Sequence, residues 1–295
     1  MTENPPPRKF RSVLYVPAIN ERAIAKAATL SADAIILDLE DAVAADSKAE
    51  ARRRARAALE SRILAPRTII VRVNGLPEGE QTHEWLAEDL AELATAGADA
   101  ILFPKIRTAA DVARAEGILD HHYAPGSLRM WLMIETPQAV LNLREIVAPQ
   151  EEGHGRLEAL VMGTNDLARE MRLPPSPSRL PLLQALSATV LAARAHQLVV
   201  LDGVFGRIED EAAFEAECHQ GRALGFDGKT LVHPSQIEPA NQAFSPSEAE
   251  IAEAHAIITA FESPENAGRA VMVVNGRMVE DLHYQIAKQV IALAR

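Results

Sequence analysis

DAIILDLEDAV, residues 33–43, carries an apolar run from Ala34 to Leu37 straight into three carboxylates within four positions, Asp38, Glu40 and Asp41. Apolar side chains at consecutive strand positions point to both faces, so this run needs cover on both sides, the condition of a parallel strand wrapped by helices. Acids at that density repel one another and are costly in an apolar interior. They belong where the strand ends and the chain emerges beside cations or a metal.

Working outward, the same pattern recurs in SVLYVP (12–17), TIIVRVN (68–74), DAILFPK (99–105), RMWLMIE (129–135), EALVMGT (158–164), LVVLDG (198–203) and KTLVHP (229–234). Each is short, rich in β-branched residues or Leu, and bounded by turn residues. Between them lie segments of helical period: ERAIAKAATL (21–30), SKAEARRRARAALE (47–60), THEWLAEDLAELATA (82–96), TAADVARAEGIL (108–119) and PLLQALSATVLAARAHQ (181–197). Eight strands alternating with helices predict an α/β fold of the (β/α)8 TIM-barrel class over residues 1–245. An open doubly wound sheet is the alternative, but VPAINER lacks the Gly-rich phosphate turn that such a sheet places after its first strand.

After residue 245 the alternation stops. FSPSEAEIAEAHAIITAF (244–261) predicts a helix with Ser245 or Ser247 near its cap, and AVMVVNGRMVEDLHYQIAKQVIALAR (270–295) a strand pair and a last helix. Residues 246–295 are too few to build much core alone and are expected to form an extension or lid. PPSPSRLP (174–181) is a loop or lid, because proline at that density excludes helix and central strand.

The chain of 295 residues is 48% apolar and carries a formal charge of −11, which disfavours a nucleic-acid surface. The run EARRRARAAL (50–59) predicts a solvated helix face, with arginines at helical spacing beside acids. MTENPPPRKF has no apolar signal core, and no stretch approaches the roughly 20 apolar residues of a membrane helix, so a cytoplasmic protein without membrane partners is expected. Cys218, the one cysteine, is read as packing and excludes an internal disulfide.

The ends of the eight runs supply Pro17, Asp38 with Glu40 and Asp41, Arg72 with Asn74, Lys105, Glu135, Asp166, Asp202 and His233. In a barrel these converge on one rim. Glu135 and Asp166 are the metal candidates, since two carboxylates without Cys or paired His favour a hard ion such as Mg²⁺ or Mn²⁺; the plainer alternative is that each caps the following helix. Arg72 suits a bidentate anion clamp, with a purely structural bridge to Asp38 or Glu40 as the alternative. Lys105 can serve the same end, and His233 alone is more often a packed histidine than a base.

RSVLYVP, ADAIILDLEDAV followed by Lys and AR, VRVNG, FPK, IETP, MGTNDLA, LDGV and GFDGKTLVHPSQI stand in the order and spacing of the HpcH/HpaI aldolase and citrate lyase β-subunit superfamily. From about residue 10 to its end, the chain resembles a stand-alone CoA-ester lyase of the malyl-CoA, citramalyl-CoA and citryl-CoA type. The resemblance implies a Mg²⁺-dependent barrel acting on a CoA thioester, in homo-oligomers, trimers or hexamers, whose C-terminal segment covers a neighbour's site. Glu135 and Asp166 match the metal ligands, and Arg72 the arginine on the substrate's oxygens. Tyr15, Val16 and Lys26 match CoA contacts; Asn165, Val232 and His233 match substrate contacts. Asp38, Glu40 and Asp41 match an acidic cluster supporting the metal's waters and Arg72. Two departures stand out: Ala18 where glycine is usual, and Glu280 in GRMVED where the catalytic carboxylate is commonly aspartate, with Asp281 beside it.

The implied reaction is reversible carbon–carbon cleavage of a 3-hydroxyacyl-CoA to an acyl-CoA and a 2-oxo acid. The metal on Glu135 and Asp166 would polarise the hydroxy-acid oxygens, Arg72 would hold developing negative charge, and Glu280 would exchange a proton with the thioester α-carbon. Hydrolysis of the thioester on the same site is one alternative. A β-subunit active only within a complex is another.

Overall fold

Strand β1 (Ser12–Pro17) pairs in parallel with β2 (Ala34–Asp38) on one side and β8 (Gly228–Leu231) on the other, and this double pairing closes the sheet. Between them run β3 (Thr68–Arg72), β4 (Ala100–Phe103), β5 (Arg129–Ile134), β6 (Leu157–Met162) and β7 (Val199–Asp202), each parallel to its neighbours. The computed structural model describes residues 9–77, 85–148, 155–176, 178–266 and 269–294. MTENPPPR, the beginning of THEWLAEDLAELATA and residue 177 of PPSPSRLP lie outside these.

The helices of the barrel are α1 (Glu21–Ala27), α2 (Lys48–Glu60), α3 (Trp85–Leu93), α4 (Ala109–His121), α5 (Pro137–Leu141), α6 (Leu143–Val147), α7 (Thr164–Glu170), α8 (Leu183–Ala195) and α9 (Glu211–Leu224), with α10 (Ile237–Ala243) after the last strand. Side chains alternate along each strand, so every second residue fills the barrel's interior. Val13, Ile36, Ile70, Leu102, Trp131 and Val161 form that interior, and Phe10 meets Trp131 edge-on with ring centroids 5.3 Å apart. The Trp131 indole N–H donates to Glu158, so its one polar atom is satisfied.

The arginine run departs from expectation at one position. Arg53 and Arg54 pair with Glu50, and Arg56 with Glu60, on a surface face. Arg52 instead is buried against α3, where it pairs with Glu88 and, at 3.3 Å, with Asp89. A charge run hides this because one turn of helix presents four successive side chains to four directions.

Chain contacts separate Phe10–Asn241 from a second unit built on residues from Gln242 onward. In that unit Ser247 caps α11 (Glu248–Glu262) through a reciprocal box with Glu250. Strands β9 (Val271–Val274) and β10 (Arg277–Glu280) form a hairpin on an Asn275-Gly276 turn, both residues at positive φ as a twist-matched two-residue turn requires. Helix α12 (Asp281–Ala294) follows, and Ala254, Ile257, Met272, Val279 and Ala287 make this unit's core.

Candidate functional site

Asp38 ends β2 and Arg72 ends β3, and the register sets them side by side. The guanidinium meets Asp38 through both arms, Nε to Oδ1 at 2.7 Å and Nη2 to Oδ2 at 2.6 Å. Its Nη1 lies 2.9 Å from Glu40 and 3.6 Å from Asp41. Burial alone would lower the Arg72 pKa, but the Asp38 hydrogen bonds and the surrounding charge raise it, so the arginine stays charged. Glu40 is pushed up by burial even though Arg72 and Lys105 pull it down. Lys48, the lysine that follows ADAIILDLEDAV in the family-like motif, ties the turn in place: its ammonium donates to the carbonyls of Leu39 and Glu40 at 2.7 Å each.

Glu135 follows β5 and is only 1% exposed. The Lys105 backbone N–H donates to its Oε1 at 2.6 Å. Lys105 sits at φ +57, a left-handed conformation that costs a β-carbon-bearing residue energy and aims the amide at the carboxylate. Burial, then the charges of Glu40 and Asp166, push the Glu135 pKa up to about 7. Glycine at 163 makes room for it, since a β-carbon there would lie 2.3 Å from Glu135 Cβ and 2.5 Å from Oε2. Asp166 lies in the first turn of α7, where the helix dipole favours an acid, and pairs with Arg169; Gly163 stands at the cap itself, with no side-chain cap bond.

A cavity of about 410 Å³ opens over these residues. Tyr15, Asp38, Asp41, Arg72, Asn165, Asp166 and Val232 line it, together with Met133, Met162, Gly163, Thr164 and Thr230, which the sequence reading passed over. Counting inward by twos from Glu135 would have found Met133. Glu40 and Glu135 are buried beside it, bound to Arg72, Lys105 or both. Val16 is buried and Lys26 exposed on α1; neither lines the cavity. His233 is exposed, with Nδ1 2.8 Å from Ser235 Oγ in the turn after β8, and also falls outside the cavity lining. Glu280 closes β10 in the second unit and is exposed.

Asp202 is not a rim acid. It is fully buried, and it binds Arg179 Nη1 at 2.7 and 2.8 Å and Lys229 Nζ at 3.1 Å, so it ties Arg179 to β7 and β8. Cys218 is buried, and burial raises its pKa to about 12, as packing requires.

The donor set around Glu135 and Asp166 is carboxylate oxygen, with more acid than Arg72 and Lys105 neutralise, which fits a hard divalent cation. Among the described residues no group of three or more His, Cys, Asp or Glu is arranged to hold a metal, so further ligands would come from water or substrate. No described helix is long and apolar enough to cross a membrane.

A closed parallel barrel with buried acids and an arginine fork at its strand ends defines the class: a TIM barrel with its site on the C-terminal face of the sheet. Residues 11–234 match the HpcH/HpaI aldolase/citrate lyase family, and the chain belongs to that family. It is 49% identical over 285 residues to a (3S)-malyl-CoA thioesterase of Cereibacter sphaeroides, covering 97% of this chain and 94% of that protein. With the citrate lyase subunit beta of Escherichia coli it shares 34% identity over 278 residues, 92% and 89% of the two chains. The structure of CitE from Mycobacterium tuberculosis in complex with magnesium, acetoacetate and coenzyme A is similar at TM-score 0.74 and 28% identity, over 96% of this chain and 97% of that one.

Proposed function

We propose that the chain hydrolyses the thioester of a malyl-CoA-type substrate to free CoA and the hydroxy acid, with Mg²⁺ at the barrel mouth. The observation that carries this reading is the 49% identity, across nearly all of both chains, to a (3S)-malyl-CoA thioesterase. It sets hydrolysis ahead of the carbon–carbon cleavage expected from the sequence. Glu135 and Asp166 would hold the cation, a role supported by their oxygen donors and by the magnesium in the complex of the similar CitE. When bound, such a cation supplies positive charge to the oxygens of a hydroxy acid.

In the proposed reaction, water adds to the thioester carbonyl carbon and negative charge gathers on the carbonyl oxygen. Collapse of that adduct breaks the C–S bond, one proton of the water ending on the CoA sulfur and the other in solvent. Arg72, kept cationic by Asp38 and Glu40, offers fixed positive charge to the oxygen. Asp38, Glu40 and Asp41 hold that arginine in place. Asn165, Val232 and His233 would contact the acyl portion; Val16 and Lys26 would serve the CoA arm. Glu280 is proposed as the acid–base group on the resemblance alone, within a trimer or hexamer.

Incubation with (3S)-malyl-CoA, with and without Mg²⁺, tests the reading. Free CoA and malate in equal amounts, with no glyoxylate, are expected. Acetyl-CoA with glyoxylate overturns hydrolysis in favour of the lyase, the second reading, which the 34% identity to a citrate lyase subunit supports. No product at all favours a subunit that acts only within a complex.

A further inference from the structure

We infer that Tyr15 is a catalytic residue: its hydroxyl and Arg72 Nη1 form a pair of donors for the thioester carbonyl oxygen. The two donors converge on one atom. Tyr15 Oη lies 3.9 Å from Met133 Sδ, and Arg72 Nη1 lies 3.9 Å from the same sulfur. A thioether is a weak acceptor, and that separation is long even for sulfur, so the Tyr15 hydroxyl lacks a strong acceptor, while Arg72 Nη1, 2.9 Å from Glu40, keeps its second N–H for an incoming oxygen. Among the described residues the Tyr15 hydroxyl makes no other hydrogen bond. Tyr15, Arg72 and Met133 all line the cavity, so an oxygen entering beside the sulfur meets both donors.

Both groups are held before any ligand arrives. The Tyr15 ring packs on the barrel's interior cluster, and the Arg72 guanidinium carbon sits 4.9 Å from its centroid. Asp38 fixes the other edge of the guanidinium. Burial raises the Tyr15 pKa above its ordinary value, so the phenol keeps its proton and donates. Donors fixed in advance toward a developing oxyanion stabilise the addition step more than the ground-state carbonyl, because charge on the oxygen grows as water adds. This assigns Tyr15 to the reacting carbonyl and not to the CoA arm with which the resemblance groups it.

The inference rests on the thioester reading, and the test separates the two. Tyr15→Phe keeps the ring beneath Arg72 and removes only the hydroxyl. With (3S)-malyl-CoA and Mg²⁺, kcat for CoA release is expected to fall roughly 100-fold or more, the size of a lost oxyanion donor. KM, and the affinity for free CoA measured by calorimetry, are expected to stay at the wild-type values. Wild-type turnover with an undiminished variant overturns the role of Tyr15 and leaves hydrolysis standing. A raised KM or weakened CoA binding at unchanged kcat also overturns it, since the residue then anchors CoA. Wild-type protein that releases no CoA overturns the thioester reading itself, and the role of Tyr15 with it.

Discussion

Asp38 and Arg72 stand opposite each other in register on neighbouring parallel strands, both buried, joined by two hydrogen bonds of 2.6 and 2.7 Å. Removing the carboxylate leaves a buried guanidinium with Glu40 as its nearest remaining partner, at 2.9 Å. Breaking a buried pair from one side costs about 3–5 kcal/mol, because the surviving charge has already lost its water. Asp38→Ala is therefore expected to lower unfolding stability by that amount in urea titrations. Replacing both members with apolar residues should abolish turnover without recovering the loss, because buried Glu40 then loses Arg72 and its amide loses the Asp38 acceptor. A single variant as stable as the wild type would mean that Glu40 alone holds the arginine.

The pH dependence has a defined sign. Glu135 ionises near its ordinary value in the unfolded chain but only at about 7 in the folded one. Between those values the folded state holds a proton that the unfolded state has lost, so stability falls as pH rises through this window and the loss is complete above about 7. At about 1.4 kcal/mol per tenfold change in proton affinity, the effect is roughly 3 kcal/mol. Without metal, Glu135→Gln should be more stable than wild type at pH above the window and match it at acid pH. Mg²⁺ should raise the wild-type melting temperature more on the alkaline side of the window, and leave the variant unmoved.

What the sequence reveals follows from which forces are local. The eight strands are legible because apolar runs without alternation are dictated by burial on both faces, and the observed Thr68–Arg72 and Arg129–Ile134 lie within the expected 68–74 and 129–135. A cap at Ser245 or Ser247 is legible because each has a glutamate three residues on, and the structure selects Ser247 with Glu250. Arg72 and Glu135 are legible because a charge closing an apolar run needs a partner. Asp202 follows the same rule and misleads. Its partners, Lys229 opposite it on β8 and Arg179 in a proline-rich loop, are fixed by register and loop path, which no local pattern encodes. The convergence of Tyr15 and Arg72 on Met133 has the same origin, three side chains from three strands meeting inside a closed sheet.

Neighbouring arginines of α2 give a sharp contrast. Arg52 is buried against Asp89, itself fully buried, while Arg53 is exposed and pairs with Glu50. Arg52→Ala is expected to cost about 3 kcal/mol or more, and Arg53→Ala within about 0.5 kcal/mol of nothing. Burial raises the Asp89 pKa to about 6, and Arg52 is among the groups that hold it from rising further. Without Arg52 the pKa of the folded-state acid rises further, and only the Asn74 donors and Lys48 are left to favour its ionised form. The deficit of Arg52→Ala should therefore be largest on the alkaline side, shrink as pH falls toward about 6, and stay level below it, which denaturation at a series of pH values measures.

Gly163 tests whether the Glu135 carboxylate tolerates displacement. Its φ of −99° suits any residue, so alanine there is opposed by collision alone. The added β-carbon would sit 2.3 Å from Glu135 Cβ and 2.5 Å from Oε2, while the Lys105 amide pins the other oxygen. Glu135 must swing away from Gly163 or the β6–α7 turn must shift, at about 1–3 kcal/mol for an overpacked site. Either movement separates Glu135 from Asp166, so the Mg²⁺-induced rise in melting temperature should vanish in Gly163→Ala. Gly117→Ala in α4, where nothing lies within 4 Å of the new methyl, provides the control. It should stabilise the chain by about 0.5–1 kcal/mol and keep the full response to Mg²⁺. A Gly163→Ala protein that still answers Mg²⁺ as the wild type does would remove Glu135 from the metal site.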